Sequence, residues 1–215
     1  PALAKEGVRF LRPEDLSRTQ RAFVQDHFKN EITPWIHTAT VRAGNAPFIE
    51  DRKLYFVCRL RSKKTNRSLL VLVNIPSDEV GRFITLPATG SGTDLIYVDD
   101  AMRLCLATLF TGYKVLDCHT IKLSRDADLH LDEEYAGNVK DKVRKSLRKR
   151  SMGVPARFLY DRAMPRATLH AIRDLLGLSK QDLVAGGRYH NFSDLLKVPI
   201  PGRRDLRDPP MAHVP

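Results

Sequence analysis

Cysteine, long apolar runs and metal-binding motifs are all scarce or missing in this sequence. The 215 residues include only three cysteines, Cys58, Cys105 and Cys118, and no CxxC pair. An odd and widely spaced set argues against a disulfide framework and against a zinc site, and it predicts buried thiols in a reducing compartment. No apolar run reaches the roughly 18 residues of a membrane-spanning helix, since the longest, residues 69–75, has the length of a strand.

Short catalytic motifs are missing as well. None of the seven histidines has a serine or cysteine nucleophile at a known motif spacing, and neither GxSxG nor HExxH occurs. Residues 90–92 contain two glycines but lack the lysine of a phosphate-binding loop, so we predict a plain turn there and another at 185–188. The residues by themselves therefore show no catalytic constellation.

Basic charge, in contrast, is plentiful. The sequence has 36 Lys and Arg against 25 Asp and Glu, which gives a net charge of +11, and 42% of its residues are hydrophobic. This composition is typical of a folded globular protein, and the length predicts one domain or two. The positive balance favours an anionic partner.

Strand and helix patterns occur both side by side and in alternation. Residues 54–60 and 69–75 flank the polar segment 62–67, which predicts a hairpin with a basic loop, and residues 113–123 predict a long strand. We predict further strands at 7–11, 82–86, 95–98 and 156–160, and helices at 13–30, 99–112, 132–150, 165–177, 179–183 and 192–196. The predicted fold class is α+β, with two layers: a mainly antiparallel sheet packed with helices.

Two segments supply candidate anion-binding side chains. Seven Lys and Arg residues between 140 and 150 lie opposite an apolar stripe of the predicted 132–150 helix. They either face a phosphate-rich polymer or form an ordinary solvated helix face. Arg125 either binds a phosphate through a bidentate contact or fixes the exit of the 113–123 strand. The polyanion-facing candidates are Arg125, Lys145, Arg148 and Lys149.

Several segments, taken in order, resemble one known family. In chain order they are 9–11 with 28–34, then 76–87, 109–115, 124–129 followed by 132–134, and finally Pro201, Asp205-Leu206, Pro209-Pro210 and Pro215. Residues 82–87 read Arg-Phe-Ile-Thr-Leu-Pro, and residues 124–129 read Ser-Arg-Asp-Ala-Asp-Leu. Together they resemble the middle, or head, domain of bacterial polyphosphate kinase of the type that autophosphorylates on histidine. Residues 45–49 depart from the family's His-Pro-Phe-Pro-like stretch, because the Pro-Phe core is kept and the histidine is not.

The resemblance implies a phosphotransferase as the parent protein. Such enzymes move the terminal phosphate of ATP onto a growing polyphosphate chain, reversibly and with Mg²⁺. The resemblance places the phosphorylated histidine in two C-terminal domains related to phospholipase D, and most of the adenine-contacting surface in an N-terminal helical domain. We therefore carry over no catalytic residue, metal ligand or cofactor ligand to this chain, and we expect the isolated chain to lack kinase activity.

The resemblance also predicts the domain organisation and the partners. Residues 1–215 are expected to form a single middle domain excised from a longer chain, with 200–215 as a linker toward the C-terminal catalytic domains. Its expected role is to support subunit association in a dimer or tetramer and to pack against other domains of the same chain. Polyphosphate is the expected ligand of the parent. We expect no membrane span and a cytoplasmic location, either free or at the membrane periphery.

Two other functions remain open at this point. The first is a stand-alone nucleic-acid-binding module that contacts phosphates through the 140–150 helix and the 63–67 loop. The second is a dimerisation module without a ligand of its own.

Overall fold

The computed structural model describes residues 2–42, 47–90, 92–125, 155–200 and 206. The chain divides into two compact units, each built from segments that are far apart in sequence. Unit 1 comprises Pro1–Trp35, Pro76–Leu106 and Asn191–Pro215, and unit 2 comprises Ile36–Ile75 and Ala107–His190.

The described residues contain β-strands, α-helices and short helical turns of other types. The strands are β1 (Val8–Phe10), β2 (Thr38–Val41), β3 (Leu54–Ser62), β4 (Ser68–Asn74), β5 (Phe83–Thr85), β6 (Thr93–Tyr97), β7 (Tyr113–Arg125), β8 (Pro155–Asp161) and β9 (Leu183–Gly186). The helices are α1 (Ala2–Lys5), α2 (Arg18–His27), α3 (Val98–Leu109) and α4 (Arg166–Leu175). A π-helical turn (Phe28–Ile32) extends α2, and 3-10 turns occupy Pro13–Asp15, Thr33–Trp35 and Phe192–Lys197.

A small three-stranded sheet forms the centre of unit 1. The strand order is β1-β6-β5, with β1 parallel and β5 antiparallel to β6. Gly92 adopts φ +132° just before β6, and a Cβ there would collide with the carbonyl oxygen of Gly7. Only glycine therefore allows the two backbones to approach at the start of the β1–β6 ladder.

Helix α2 owes its start and its buried face to local sequence. Ser17 and Gln20 form a reciprocal capping box, because the Ser17 Oγ accepts from the Gln20 N–H and the Gln20 Oε1 accepts from the Ser17 N–H, both at 3.2 Å. Val24, Phe28 and Ile32 follow at intervals of four residues and are buried in the core of unit 1.

A six-stranded sheet dominates unit 2. Its order is β2-β4-β3-β7-β8-β9, and every pair is antiparallel except β8 with β9. Helix α4 contributes Leu169 and Ile172 to a core cluster with apolar side chains of the sheet. The sheet residues of this cluster are Tyr55, Val57, Leu72, Ile121, Leu123 and Phe158.

The predicted fold class is confirmed. The fold is α+β, the β3–β4 hairpin and the long strand β7 form as predicted, and most strand pairs are antiparallel. The strands fall into two sheets, because the strands at 83–97 pair with β1 and not with the hairpin. The predicted helix at 132–150 lies outside the described residues.

Two local predictions were wrong. Residues 179–183 do not form a helix, and residues 185–188 are not simply a turn, because Leu183–Gly186 form strand β9, parallel to β8. A five-residue segment is too short to recover the cost of starting a helix by itself, whereas pairing with β8 supplies backbone partners at once. Gly186 also suits this strand, since a Cβ there would come within 2.9 Å of the His190 ring.

Candidate functional site

The sequence-predicted anion site is only partly covered by the described residues. Lys145, Arg148 and Lys149 lie outside them. Arg125 lies at the end of β7, where its N–H donates to Asp51 Oδ1 at 2.8 Å and its Nη2 donates to the Ile49 carbonyl at 3.0 Å. Its guanidinium also lies 5.2 Å from the centre of the Phe48 ring. These contacts tie the 48–51 segment to the end of β7.

The described residues do not offer a fit for Mg²⁺. Within them, no group of three or more His, Cys, Asp and Glu side chains is arranged to hold a metal ion. His119 lies between two carboxylates, 3.6 Å from Asp117 Oδ1 and 3.4 Å from Asp161 Oδ2, and Asp117 is further paired with Arg59. Mg²⁺ prefers an octahedron of oxygen ligands, which this arrangement does not supply. In the same ranges, no helix is both long and apolar enough to cross a bilayer.

A buried arginine organises one edge of unit 1. The Arg82 side chain is only 3% exposed and forms a two-point ion pair with Asp99, in which Nη2 donates to Oδ2 at 2.9 Å. Its Nε lies 3.3 Å from Asp194 Oδ2, and its guanidinium lies 5.6 Å from the Tyr97 ring centre. Burial raises the pKa of Asp99, against the opposing pull of Arg82. The arginine thereby links strand β5, helix α3 and the 3-10 turn that carries Asp194.

That 3-10 turn carries apolar side chains that face outward. Phe192 is 84% exposed, Leu195 is 44% exposed and Leu196 is 88% exposed. We call these three side chains the apolar ridge. The turn begins after Asn191, which adopts a left-handed φ of +66°, and it is followed by Val198, which is buried in a cluster with Val8 and Leu95. The turn is therefore held by the contact of Asp194 with Arg82 and by the burial of Val198, while the side chains of the ridge are exposed to solvent.

The apolar ridge suits association with another protein surface. Single exposed apolar residues are common, whereas these three lie within five positions and form a cluster of the kind that interaction sites use. Covering a large apolar side chain contributes about 1.5–3 kcal/mol. The sequence predicts a short helix at 192–196, and the spacing of Phe192, Leu195 and Leu196 is equally typical of a core face. Only the fold shows that this face is exposed.

A second polar network, also missed from the sequence, surrounds Asp94 in β6. The Asp94 carboxylate accepts hydrogen bonds from Arg9 Nε at 2.7 Å, Gln20 Nε2 at 2.9 Å and Thr89 Oγ1 at 3.1 Å. Burial by itself would raise the pKa of Asp94, but these hydrogen bonds outweigh burial and hold the pKa below its usual value. The network joins β1, α2 and β6, and it leaves no free carboxylate for chemistry at this position.

Comparisons with known proteins identify the family of this fold. The family model described as the polyphosphate kinase middle domain matches residues 19–198. Polyphosphate kinase of Escherichia coli strain K12 is 30% identical over 220 residues, covering 99% of this chain and 32% of that protein. The enzyme of Vibrio cholerae is 30% identical over 217 residues, covering 97% of this chain and 31% of that protein.

A solved structure agrees with these relatives. The crystal structure of polyphosphate kinase from Porphyromonas gingivalis superimposes with a TM-score of 0.76 at 28% identity, covering 94% of this chain and 28% of that one. The chain spans about a third of the length of the curated relatives, 32% for the Escherichia coli protein. The shared fold and the match over residues 19–198 show that the chain belongs to the polyphosphate kinase middle-domain family.

Proposed function

We propose that this chain is the middle domain of a polyphosphate kinase and that it works as a scaffold rather than as a chemical centre. In this proposal it packs against the catalytic domains of the same polypeptide and supports association of subunits. The observation that carries the proposal is the apolar ridge, whose residues Phe192 and Leu196 are largely exposed although the turn itself is anchored. The relatives are about three times as long as this chain, and in this proposal the rest of such a polypeptide or a second subunit supplies the apolar partner.

Anchoring of the turn favours this role. An exposed segment that must be ordered on binding loses affinity through the entropy of ordering. Asp194 is held near Arg82, and Val198 is buried beside Val8, so the turn has one anchor within it and one directly after it. Little of the free energy gained by covering Phe192 and Leu196 is then lost to ordering.

The parent activity is part of the same proposal. The full polypeptide transfers the terminal phosphate of ATP to polyphosphate, with Mg²⁺ to neutralise phosphate charge, and the phosphorylated histidine lies outside this chain. The proposal assigns no residue of this chain to ATP or Mg²⁺. The proposal treats 1–215 as one middle domain of a cytoplasmic homo-oligomer, with 200–215 leading toward the catalytic domains. Arg125, Lys145, Arg148 and Lys149 remain its proposed polyanion-facing residues.

The test uses the full-length polypeptide that carries this chain. The double variant Phe192→Ser with Leu196→Ser removes the ridge. We expect polyphosphate synthesis from ATP to fall about tenfold or more, because covering two large apolar side chains contributes several kcal/mol. The matched control is Leu3→Ser with Phe23→Ser, which removes two other partly exposed apolar side chains of unit 1 and should leave synthesis within about twofold.

Sedimentation velocity separates the two parts of the scaffold role. Dissociation of the ridge variant into smaller species places the ridge between subunits, whereas an unchanged size with a lower melting temperature places it between domains of one subunit. Full activity and unchanged stability in the ridge variant would contradict the role of the ridge. Synthesis of polyphosphate by the isolated 215-residue chain would contradict the scaffold role altogether.

A further inference from the structure

Positive side chains concentrate at one end of the unit 2 sheet. We call this group the basic hairpin end, and all of its members are exposed: Arg61, Lys63, Lys64 and Arg67 of the β3–β4 hairpin, and Lys114 of β7. The two stretches that supply them, residues 52–77 and 101–116, contain no Asp or Glu. The charge at this end is therefore not balanced by its own segments.

The sheet also places two of these positive side chains directly opposite each other. Arg61 and Lys114 are register partners on the neighbouring strands β3 and β7. Like charges directly opposite each other in an antiparallel pair destabilise the sheet. The next acid along β7 is Asp117, and its carboxylate is engaged by Arg59, whose Nε donates to Asp117 Oδ2 at 2.8 Å. Among the described residues, none of the five cations of the basic hairpin end has an ion-pair partner.

The turn that presents these cations is fixed by hydrogen bonds. The Ser62 N–H donates to the Arg67 carbonyl and the Asn66 N–H donates to the Ser62 carbonyl, both at 2.9 Å. The Thr65 N–H donates to the Ser62 Oγ at 3.2 Å. The Lys63 N–H donates to the Gly112 carbonyl at 3.0 Å and its Nζ donates to the Thr111 carbonyl at 2.9 Å, so the hairpin is also tied to the turn before β7. A fixed backbone lowers the entropy lost when a charged ligand binds.

We propose that the basic hairpin end is a binding site for a linear inorganic polyphosphate chain. The uncompensated charge supplies the attraction, since each neutralised phosphate releases counterions. RNA is disfavoured because residues 61–68 contain no aromatic side chain on which a base could stack, and Tyr113, the register partner of Ser62 on β7, is partly buried. The choice of polyphosphate over other anions rests on the proposed function, that is, on this chain being part of a polyphosphate kinase.

The test is binding of long-chain inorganic polyphosphate to the full-length polypeptide at several salt concentrations. The hairpin variant is Lys64→Glu with Arg67→Glu, and the control is Arg162→Glu with Lys180→Glu, which makes the same charge change at exposed positions elsewhere in unit 2. We expect the hairpin variant to lose about tenfold in affinity at low salt. The slope of log affinity against log salt should become shallower by about 1.4, since each lost phosphate contact contributes about 0.7. The control should change affinity by less than about threefold.

A single variant separates loss of binding from loss of folding. Lys114→Glu places an acid opposite Arg61, so it should raise the melting temperature while lowering affinity for polyphosphate about threefold or more. Equal losses in the hairpin variant and the control would overturn the site, because the effect would then depend on net charge alone. Displacement of bound polyphosphate by a lower concentration of poly-uridylate RNA would also overturn it, in favour of a nucleic-acid surface.

The outcome remains readable if the proposed function fails. A full-length polypeptide that makes no polyphosphate from ATP would contradict the proposed function, yet the binding comparison between the two double variants would be unaffected. Conversely, active enzyme whose hairpin variant binds polyphosphate as tightly as the wild type would overturn the site alone.

Discussion

Unit 1 and unit 2 differ in the charged side chains that they bury and in the side chains that they expose. Unit 1 buries Arg82, Asp94 and Asp99 around a three-stranded sheet, and it exposes the apolar ridge. Unit 2 buries a continuous apolar cluster beside a six-stranded sheet, and it exposes cations at the hairpin end. Both units have an apolar core, which in unit 1 includes Val24, Phe28 and Ile32, but unit 1 adds ion pairs of buried carboxylates that fix how its distant segments meet.

The largest expected effect compares a buried arginine of unit 1 with a partly exposed one of unit 2. Arg82→Met leaves the fully buried Asp99 without its partner, and we expect a loss of about 3–5 kcal/mol in the free energy of unfolding. Arg59→Met removes a pair whose arginine side chain is 40% exposed, and we expect a loss within about 1 kcal/mol. Urea denaturation of both variants measures the difference. Equal losses would show that the two units do not differ in this respect.

A smaller effect compares two neighbouring apolar side chains of unit 1. Val198→Ala removes atoms from the cluster with Val8 and Leu95 and should cost about 2 kcal/mol. Leu196→Ala, two residues earlier on the apolar ridge, should change stability by less than about 0.5 kcal/mol. Thermal denaturation of the two variants checks this. With the isolated 215-residue chain, a large loss in Leu196→Ala would mean that this chain itself covers the ridge, which would argue against a docking role.

The smallest expected effect is a pH dependence specific to unit 1. The hydrogen bonds of Asp94 hold its native pKa below the ordinary value of 3.8, so its stabilising contribution is complete above that pH. The contribution is lost as the pH falls through the ordinary value toward the native one. The Arg9 side chain is 50% exposed, which screens the pair and keeps the effect small.

Asp94→Asn should therefore flatten the decline in melting temperature between about pH 5 and pH 2.5, relative to the wild type. Asp99 contributes with the opposite sign, because burial raises its pKa, but this contribution is common to both proteins and cancels in the difference. If the melting temperature of Asp94→Asn declined with falling pH as steeply as that of the wild type, the network around Asp94 would not stabilise the ionised carboxylate.

Features set by short stretches of sequence were predictable. The β3–β4 hairpin follows from two apolar runs around a polar loop, and helix α4 follows from its apolar periodicity after Pro165. Strand β9 was not predictable, because its four residues become a strand only through pairing with β8. The proximity of Cys58 and Cys118 was not predictable either. Strand register brings their sulfur atoms within 3.6 Å although 60 residues separate them.

The candidate sites likewise combine features that the sequence predicts with features that only the fold shows. The basic loop at 62–67 and the positive net charge are evident in the composition, and the family was identified from segments in order along the chain. Neither the burial of Arg82 nor the exposure of Phe192 could be predicted. A lone arginine usually lies at the surface, and apolar residues at helical spacing usually face a core.

The sequence by itself determined the α+β class, most of the strands and helices, the family and the excess of positive charge. Those properties depend on residue type and on spacing within about fifteen neighbours. The tertiary structure alone decided which strands share a sheet, that Arg61 opposes Lys114, and that the apolar ridge is held at the surface by a buried arginine. Each of these depends on contacts between distant segments, whose partners are selected by the free energy of the whole fold and not by local pattern.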